Sequence, residues 1–223
     1  MVEKGKVIIQ EYTTKNPITM IGREAGICYG SDVSNDEKNY KRGLEMLASN
    51  HGRTLEFPDI YSVIDGYSAR VIREWYTHIG GAPTRVQSST RYIDYQKGFD
   101  YIMPPSIEKN KEAHYAYVKG MKHIREALNF LESEGIPRED SANLLPLGMT
   151  TSIVDKRNLR NLIDMSHARE CVRAYWEFRE LFEDYKQALS EYSPEWKYIV
   201  DNYFMPKCEW LGKCTEAHGC GRM

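Results

Sequence analysis

The sequence predicts an α+β fold on three observations. Two long amphipathic helical stretches dominate, at residues 106–134 and 167–190. The strand-like runs are few and short, and no regular alternation of strand and helix calls for a parallel doubly wound sheet. At 223 residues, without internal repeats or a low-complexity linker, the chain reads as one domain over 1–204. That domain should hold a mixed or antiparallel sheet with long helices, and a Cys- and Gly-rich tail follows at 205–223.

Each element has a local reason. Residues 6–9 and 18–21 read as short strands around the turn-prone Asn16-Pro17. Residues 35–50 read as a helix, because Asp36 and Glu37 load its first turn and Leu44, Leu47 and Ala48 share a face. Residues 54–64 are rich in β-branched and aromatic side chains, and Pro58 predicts an edge or a bend there. Residues 66–78 put Ala69, Ile72, Arg73 and Tyr76 at helical spacing, after which Gly80-Gly81-Ala82-Pro83 forces a loop. In the helix at 106–134 the apolar stripe is Tyr117, Met121, Ile124, Leu128 and Leu131, stopped by Gly135-Ile136-Pro137. A short strand follows at 150–154. The helix at 167–190 turns Cys171, Ala174, Tyr175, Phe178 and Leu181 inward, and 194–203 forms a last helix before the tail.

Composition narrows the function. Lys and Arg total 30 against 32 Asp and Glu, a net charge of −2, which argues against nucleic acid or an anionic membrane as a bulk electrostatic partner. No apolar run approaches the ~18 residues of a membrane span, and the N-terminal segment is too polar for a signal peptide, so a cytoplasmic protein is expected. Tyr outnumbers the other aromatics, 16 against 6 Phe and 4 Trp, which suits surfaces half apolar and half wet. Five cysteines, an odd number without a secretion signal, argue against a disulfide framework.

The most unusual stretch is 78–95, HIGGAPTRVQSSTRYIDY. Glycines let a backbone approach a ligand closely, and arginines with hydroxyls suit phosphate and carbonyl oxygens. The bland alternative is a solvated loop followed by an edge strand. Neither a Walker-type loop nor a GxGxxG motif is present.

Further pieces point to a family. Ala25-Gly26-Ile27-Cys28-Tyr29-Gly30, then His51 with Thr54-Leu55-Glu56-Phe57, precede Trp75-Tyr76-Thr77-His78 and Gln87-Ser88-Ser89-Thr90-Arg91-Tyr92. Leu145-Pro146-Leu147, Asn161, Arg169 and Trp176-Glu177 close the order. Over nearly its whole length the chain resembles the flavin-dependent thymidylate synthases, the ThyX family. It departs from the family hallmark of Arg-His-Arg, seven residues, then Ser. Thr77-His78-Ile79 keeps only the histidine, and the spacer to Ser89 is two residues longer. Arg85, in the lengthened loop, is a candidate to replace a missing arginine.

The resemblance implies that FAD contacts His51, His78, Gln87, Lys156, Arg157 and Asn161, the last three on the helix after the second strand. It implies that dUMP is held by Glu74, Arg85, Gln87, Ser89, Thr90, Arg91 and Arg169. Arg169 matches the arginine associated with activating the uracil, and Arg173, one turn later on the same helix face, is the alternative. Ser152 stands where a further substrate arginine is usual. The family reaction converts dUMP to dTMP, with methylenetetrahydrofolate as carbon donor and FAD reduced by NADPH as hydride source, in a homotetramer whose sites are shared between subunits. Tyr92, Tyr95 and Tyr101 suit stacking on flavin, pterin or a neighbouring chain, or simple packing on the core.

The residue types fit that chemistry. Carbon nucleophilicity at C5 of uracil rises as charge develops on N3 and O4, and a guanidinium at that edge is worth roughly 3–4 kcal/mol. A cysteine nucleophile lacks a convincing setting, since Cys28 lies in a strand-like run and Cys171 faces inward on a helix. Ser89, named with Arg169 for the chemistry, has no adjacent histidine or carboxylate, so its hydroxyl is expected to bind rather than attack. His114, His123 and His167 read as ordinary helix histidines. In the tail, Cys208, Cys214, His218 and Cys220 offer a Cys3His donor set for zinc, but the spacing is not that of common fingers and no metal is assigned. Two rival functions stay open: a relative delivering a hydroxymethyl group to dUMP, and a non-catalytic nucleotide-binding protein.

Overall fold

The computed structural model describes residues 5–95 and 97–223; the first four residues, part of the polar N-terminal segment read above, lie outside them. Its centre is a four-stranded antiparallel sheet of order β1-β2-β4-β3, built from β1 (Lys6–Ile9), β2 (Asp59–Ser68), β3 (Thr84–Gln87) and β4 (Thr150–Asn158). The helices are α1 (Pro17–Cys28), α2 (Asp36–Ala48), α3 (Ala69–Trp75), α4 (Pro105–Glu108), α5 (Lys111–Ser133), α6 (Arg138–Ser141), α7 (Leu159–Arg169), α8 (Trp176–Tyr192), α9 (Pro194–Tyr203) and α10 (Lys207–Leu211). The expected α+β class therefore holds, with every strand pair antiparallel.

One face of the sheet, carrying Ile60, Ile64 and Ile153, is buried in a core with Trp75, Phe178, Tyr185, Trp196 and Leu162. Strand alternation sends the intervening residues outward. The register aligns Ile8 with Val63, Val63 with Val154 and Val154 with Val86. Ile8, Val154 and Val86 are exposed, so an apolar row crosses the whole outer face. A smaller cluster of Phe99, Met121, Leu128 and Met149 seats the stripe of α5.

Several expectations are corrected. Residues 18–21 are helix, not strand. The carboxylate of Glu195, from α9, accepts from Ile18 N at 2.6 Å, Thr19 N at 3.0 Å and Thr19 Oγ1 at 2.6 Å. This cap comes from 176 residues away, so no local pattern announces it. Crossing close to α2 fixes the helix: a Cβ on Gly22 would meet Asn39 O at 1.8 Å, and one on Gly43 would meet Ile18 O at 2.0 Å. Cys28 accordingly ends a helix and is exposed, rather than lying in a strand.

Residues 54–56 form a 3-10 turn, and β2 starts only after Pro58 and runs on through Gly66. The helix expected at 66–78 is therefore confined to α3. Ser68 caps it by accepting from Val71 N, while buried Glu177 holds Ser68 N at 2.7 Å and Ser68 Oγ at 2.5 Å. The long helix expected from 106 starts at Lys111, where Asn110 caps it. The helix expected at 167–190 is two helices parted by a turn at 170–175. Cys171, Ala174 and Arg173 consequently lie on that turn and not on a helix face. β4 is longer than expected, so Lys156 and Arg157 sit on a strand rather than on the following helix. Among the described residues no helix is long and apolar enough to cross a membrane.

Candidate functional site

The site is built where α3, the loop after it, and the end of α7 meet. Arg169, in the last turn of α7, donates from Nε to His78 Nε2 at 2.9 Å and from Nη1 to Glu74 Oε2 at 2.9 Å. Its Nη2 reaches Thr77 Oγ1 at 3.4 Å, and the guanidinium lies 4.8 Å from the ring centre of Phe178. The guanidinium is thus held flat by a histidine, a carboxylate and an aromatic face. Burial, with the Arg169 and Arg157 charges beside it, pushes His78 down to about 4. The imidazole is therefore neutral near pH 7, with its lone pair on Nε2 facing Arg169 and its proton on Nδ1.

Behind this cluster a buried relay fixes the glycine loop. Arg157 and Asp155 are buried as a two-point pair, Nε to Oδ2 at 2.5 Å and Nη2 to Oδ1 at 2.8 Å. Arg157 Nη1 donates to Asn161 Oδ1 at 2.6 Å, and its guanidinium lies 4.3 Å from the Trp75 ring centre. Asn161 Nδ2 in turn donates to His78 O at 3.3 Å and Gly80 O at 2.7 Å. Gly81 is at φ +70, and a Cβ there would lie 2.3 Å from Asn158 Nδ2, so only glycine lets the loop close on this strand end. Arg157, expected to touch FAD, is 1% exposed, and its guanidinium is already engaged by Asp155 and Asn161, through which it supports the loop from beneath.

The other expected residues divide by location. His51 is exposed in a loop whose next residue, Gly52, abuts Arg160 at the start of α7. Lys156 points to the opposite face of the sheet from Arg157 and pairs with Asp59 at 2.7 Å. Arg85, on edge strand β3, donates to Tyr76 O at 3.0 Å and stacks 4.4 Å from the Tyr76 ring centre. Gln87 Nε2 donates to Thr151 Oγ1 at 3.3 Å. Ser89, Thr90 and Arg91 form a turn just beyond β3, where Ser89 Oγ accepts from Arg91 N at 3.4 Å and Arg91 pairs with Glu139 at 3.4 Å. Antiparallel pairing puts Thr84 beside Lys156 and Ser88 beside Ser152. The Ser89–Arg91 turn and the His78 loop therefore lie at opposite ends of β4.

Arg173, the alternative for a substrate role, is engaged elsewhere, with Glu216 at 2.6 Å and His218 O at 2.6 Å. Ser152 donates to Asp65. Tyr92 is 74% exposed, whereas Tyr95 and Tyr101 pack against the α5 cluster. A cavity of about 730 Å³ beside Tyr67, Trp176 and Arg125 is bordered by Tyr101, one of the candidate stacking tyrosines, but by none of the residues expected to contact FAD or dUMP. Sequence reasoning missed Thr77, Asp155, Asn158 and Phe178, whose roles arise only from contacts between distant segments.

The chain has relatives in sequence and in fold among known proteins. The family model described as thymidylate synthase complementing protein (Thy1) matches residues 9–195. The flavin-dependent thymidylate synthase of Clostridium tetani is 27% identical, covering 97% of this chain and 93% of its own. That of Nitratidesulfovibrio vulgaris is 30% identical, covering 85% of this chain and 80% of its own. In fold, the chain is similar to Helicobacter pylori ThyX, solved with FAD and dUMP, at TM-score 0.71 and 18% identity over 89% of this chain and 99% of that one. It is also similar to a UMP/dUMP methylase, PolB of Streptomyces cacaoi, at TM-score 0.73 and 14% identity over 90% of this chain and 96% of that one. The chain therefore belongs to the Thy1 family, the family of flavin-dependent thymidylate synthases.

Proposed function

We propose that the chain converts dUMP to dTMP, taking the carbon from methylenetetrahydrofolate and the hydride from FAD that NADPH has reduced. The balance is dUMP, methylenetetrahydrofolate, NADPH and a proton giving dTMP, tetrahydrofolate and NADP⁺. The observation that carries this reading is the Arg169 guanidinium, held flat against Phe178 by Glu74 and a neutral His78.

The residues suit a flavin. The Gly80-Gly81 backbone is fixed open for close approach. Ile79 and Val86 expose apolar surface there. His51 and Gln87 offer exposed polar groups, while buried Asn161 holds the loop through His78 O and Gly80 O. When bound, the flavin supplies the hydride.

The protein's own residues would do the following. Arg85, Arg91 and the hydroxyls of Ser89 and Thr90 bind the nucleotide's anionic and polar groups. Glu74 and His78 aim Arg169 so that N–H bonds meet charge developing on the uracil N3 and O4. That donation is worth roughly 3–4 kcal/mol in the transition state because the donor is already oriented. Neutral His78 adds no second positive charge, so Arg169 remains the group that answers the anion.

Because the Ser89–Arg91 turn and the His78 loop lie at opposite ends of β4, a complete site is proposed to need more than one copy of the chain. The apolar row Ile8, Val63, Val154 and Val86 supports such assembly, as does exposed Tyr92. A homotetramer in the cytoplasm is the proposed state. Analytical ultracentrifugation checks it, with Val86→Lys expected to shift the protein toward smaller species.

The activity test uses the purified protein. A yellow preparation that bleaches with NADPH and releases label from C5 of dUMP only with methylenetetrahydrofolate fits the proposal. A colourless protein that takes up no FAD would overturn it. A hydroxymethylated product would favour the rival transfer.

A further inference from the structure

The tail cysteines are left unused by this chemistry, and the fold gathers them in a way their spacing does not announce. A cavity of about 270 Å³, between the end of α7, α10 and the last loop, is lined by Cys171, Cys208, Cys214 and Cys220, with His167 and Arg173. His218, the histidine nearest them in sequence, does not line it; its backbone carbonyl accepts from Arg173. All four thiols are free. A second observation marks the same place. His167 Nε2 is buried without a hydrogen-bond partner, on a side chain that borders the cavity. Buried ring nitrogens are normally satisfied, so this one calls for a ligand or a thiolate. Arg173, paired with Glu216 at 2.6 Å, and Lys207 border the same cavity.

We propose that Cys171, Cys208, Cys214 and Cys220 bind one zinc ion as a tetrathiolate, with His167 Nε2–H donating to one of the sulfurs. Four thiols release four protons as the ion enters, leaving a site of net charge −2 beside Arg173 and Lys207. Zinc accepts four sulfurs tetrahedrally at about 2.3 Å, and its charge and softness suit this donor set. Among the described residues no three donors stand close enough to hold an ion as placed, so binding must draw the sulfurs together. What binding must shift is a short helix and a loop whose last residues, 215–223, are exposed and held by polar contacts such as those of Arg173 with Glu216 and His218 O. Binding and ordering are then one event. Cys171 lies two residues beyond Arg169, so the ion would fasten the tail to the turn that follows the site.

The test is metal analysis of the full chain, purified without a metal-affinity tag and reconstituted with zinc alone. The expected result is about one equivalent of zinc, falling at least tenfold in Cys171→Ser and Cys214→Ser while His218→Ala keeps it. His167→Ala should retain the ion but surrender it faster to a chelator. Because a cysteine variant can misfold, cobalt replacement in the unmodified chain gives a second reading, with sulfur-to-cobalt charge transfer and intense visible bands expected for tetrahedral thiolate. Less than about a tenth of an equivalent after reconstitution, or octahedral cobalt, overturns the proposal. So does zinc that is lost in His218→Ala but kept in Cys171→Ser, or iron with acid-labile sulfide in place of zinc. FAD uptake, read on the same preparation, reports separately on the proposed function.

Discussion

Arg169 Nε donates to His78 Nε2 across 2.9 Å, and this bond fixes both the tautomer of the histidine and the plane of the guanidinium. It has a consequence for pH. His78 is held at about 4 in the fold against 6.5 as a free side chain. The unfolded chain therefore binds the extra proton first. Stability from this group is complete above pH 6.5 and is lost as pH falls toward 4. Discounted for partial solvent screening, the loss is about 1–2 kcal/mol. His78→Gln keeps an acceptor for Arg169 but cannot titrate. Urea unfolding at pH 7 and pH 4 should show the variant losing about 1–2 kcal/mol less than the native chain; equal losses would refute the assignment.

Arg169→Lys tests the guanidinium itself. Lysine keeps the charge but cannot satisfy His78, Glu74 and a substrate oxygen with one fixed plane. The turnover rate should fall by about a hundredfold or more, with dUMP affinity changing less, because the lost donation matters most in the transition state. Single-turnover kinetics separate the two effects. A variant whose deficit lies wholly in thermal stability would place Arg169 in the scaffold only.

Arg157 and Asp155 make a contrasting case, a buried pair that supports the site without reaching it. Arg157→Leu leaves the Asp155 carboxylate uncompensated and should cost about 3–5 kcal/mol. Adding Asp155→Leu should recover much of that, since it removes the stranded charge. The double variant should still bind FAD if Arg157 acts only by holding Asn161. Recovery of the fold with complete loss of FAD binding, measured by absorbance titration, would return Arg157 to direct contact.

What the sequence disclosed follows the range of the interactions. The stripe of α5 and the acidic first turn of α2 rest on neighbours within a few residues, and Gly80-Gly81 breaks the helix by its own backbone, so each is legible in the sequence. Helix α1 was misread because its N-terminus is satisfied by Glu195 rather than by its own flank. The turn between α7 and α8 was hidden because residues 170–175 carry no Gly or Pro to punctuate the helical pattern. In the site, Glu74, His78 and Arg169 were each named on family resemblance, and the structure brings these three together. Arg157 is expected at the flavin on resemblance alone, and its burial against Asp155 and Trp75 is a pairing that no spacing reveals.

Glu195 carries a prediction of its own. Its carboxylate accepts three hydrogen bonds at the start of α1, two of them from backbone N–H groups that have no partner within the helix. Glu195→Ala should destabilise the chain by about 1–3 kcal/mol, and Glu195→Gln by less because an amide oxygen still accepts. Chemical denaturation measures both. If the two variants are equally stable, the carboxylate is not the cap.

The proposed substitution of Arg85 for a hallmark arginine can be tested directly. In the structure its guanidinium rests on the Tyr76 ring and spends one N–H on Tyr76 O, leaving the rest of the fork free to meet an anion. Arg85→Ala should weaken dUMP binding at least tenfold, about 1.4 kcal/mol, while Arg85→Lys recovers part of it through charge alone. The loss should shrink as salt rises, because an exposed ion pair is screened. Equilibrium dialysis with labelled dUMP at two salt concentrations reads both effects. Unchanged affinity in Arg85→Ala would mean that Arg91, or an arginine from another copy of the chain, carries the phosphate instead.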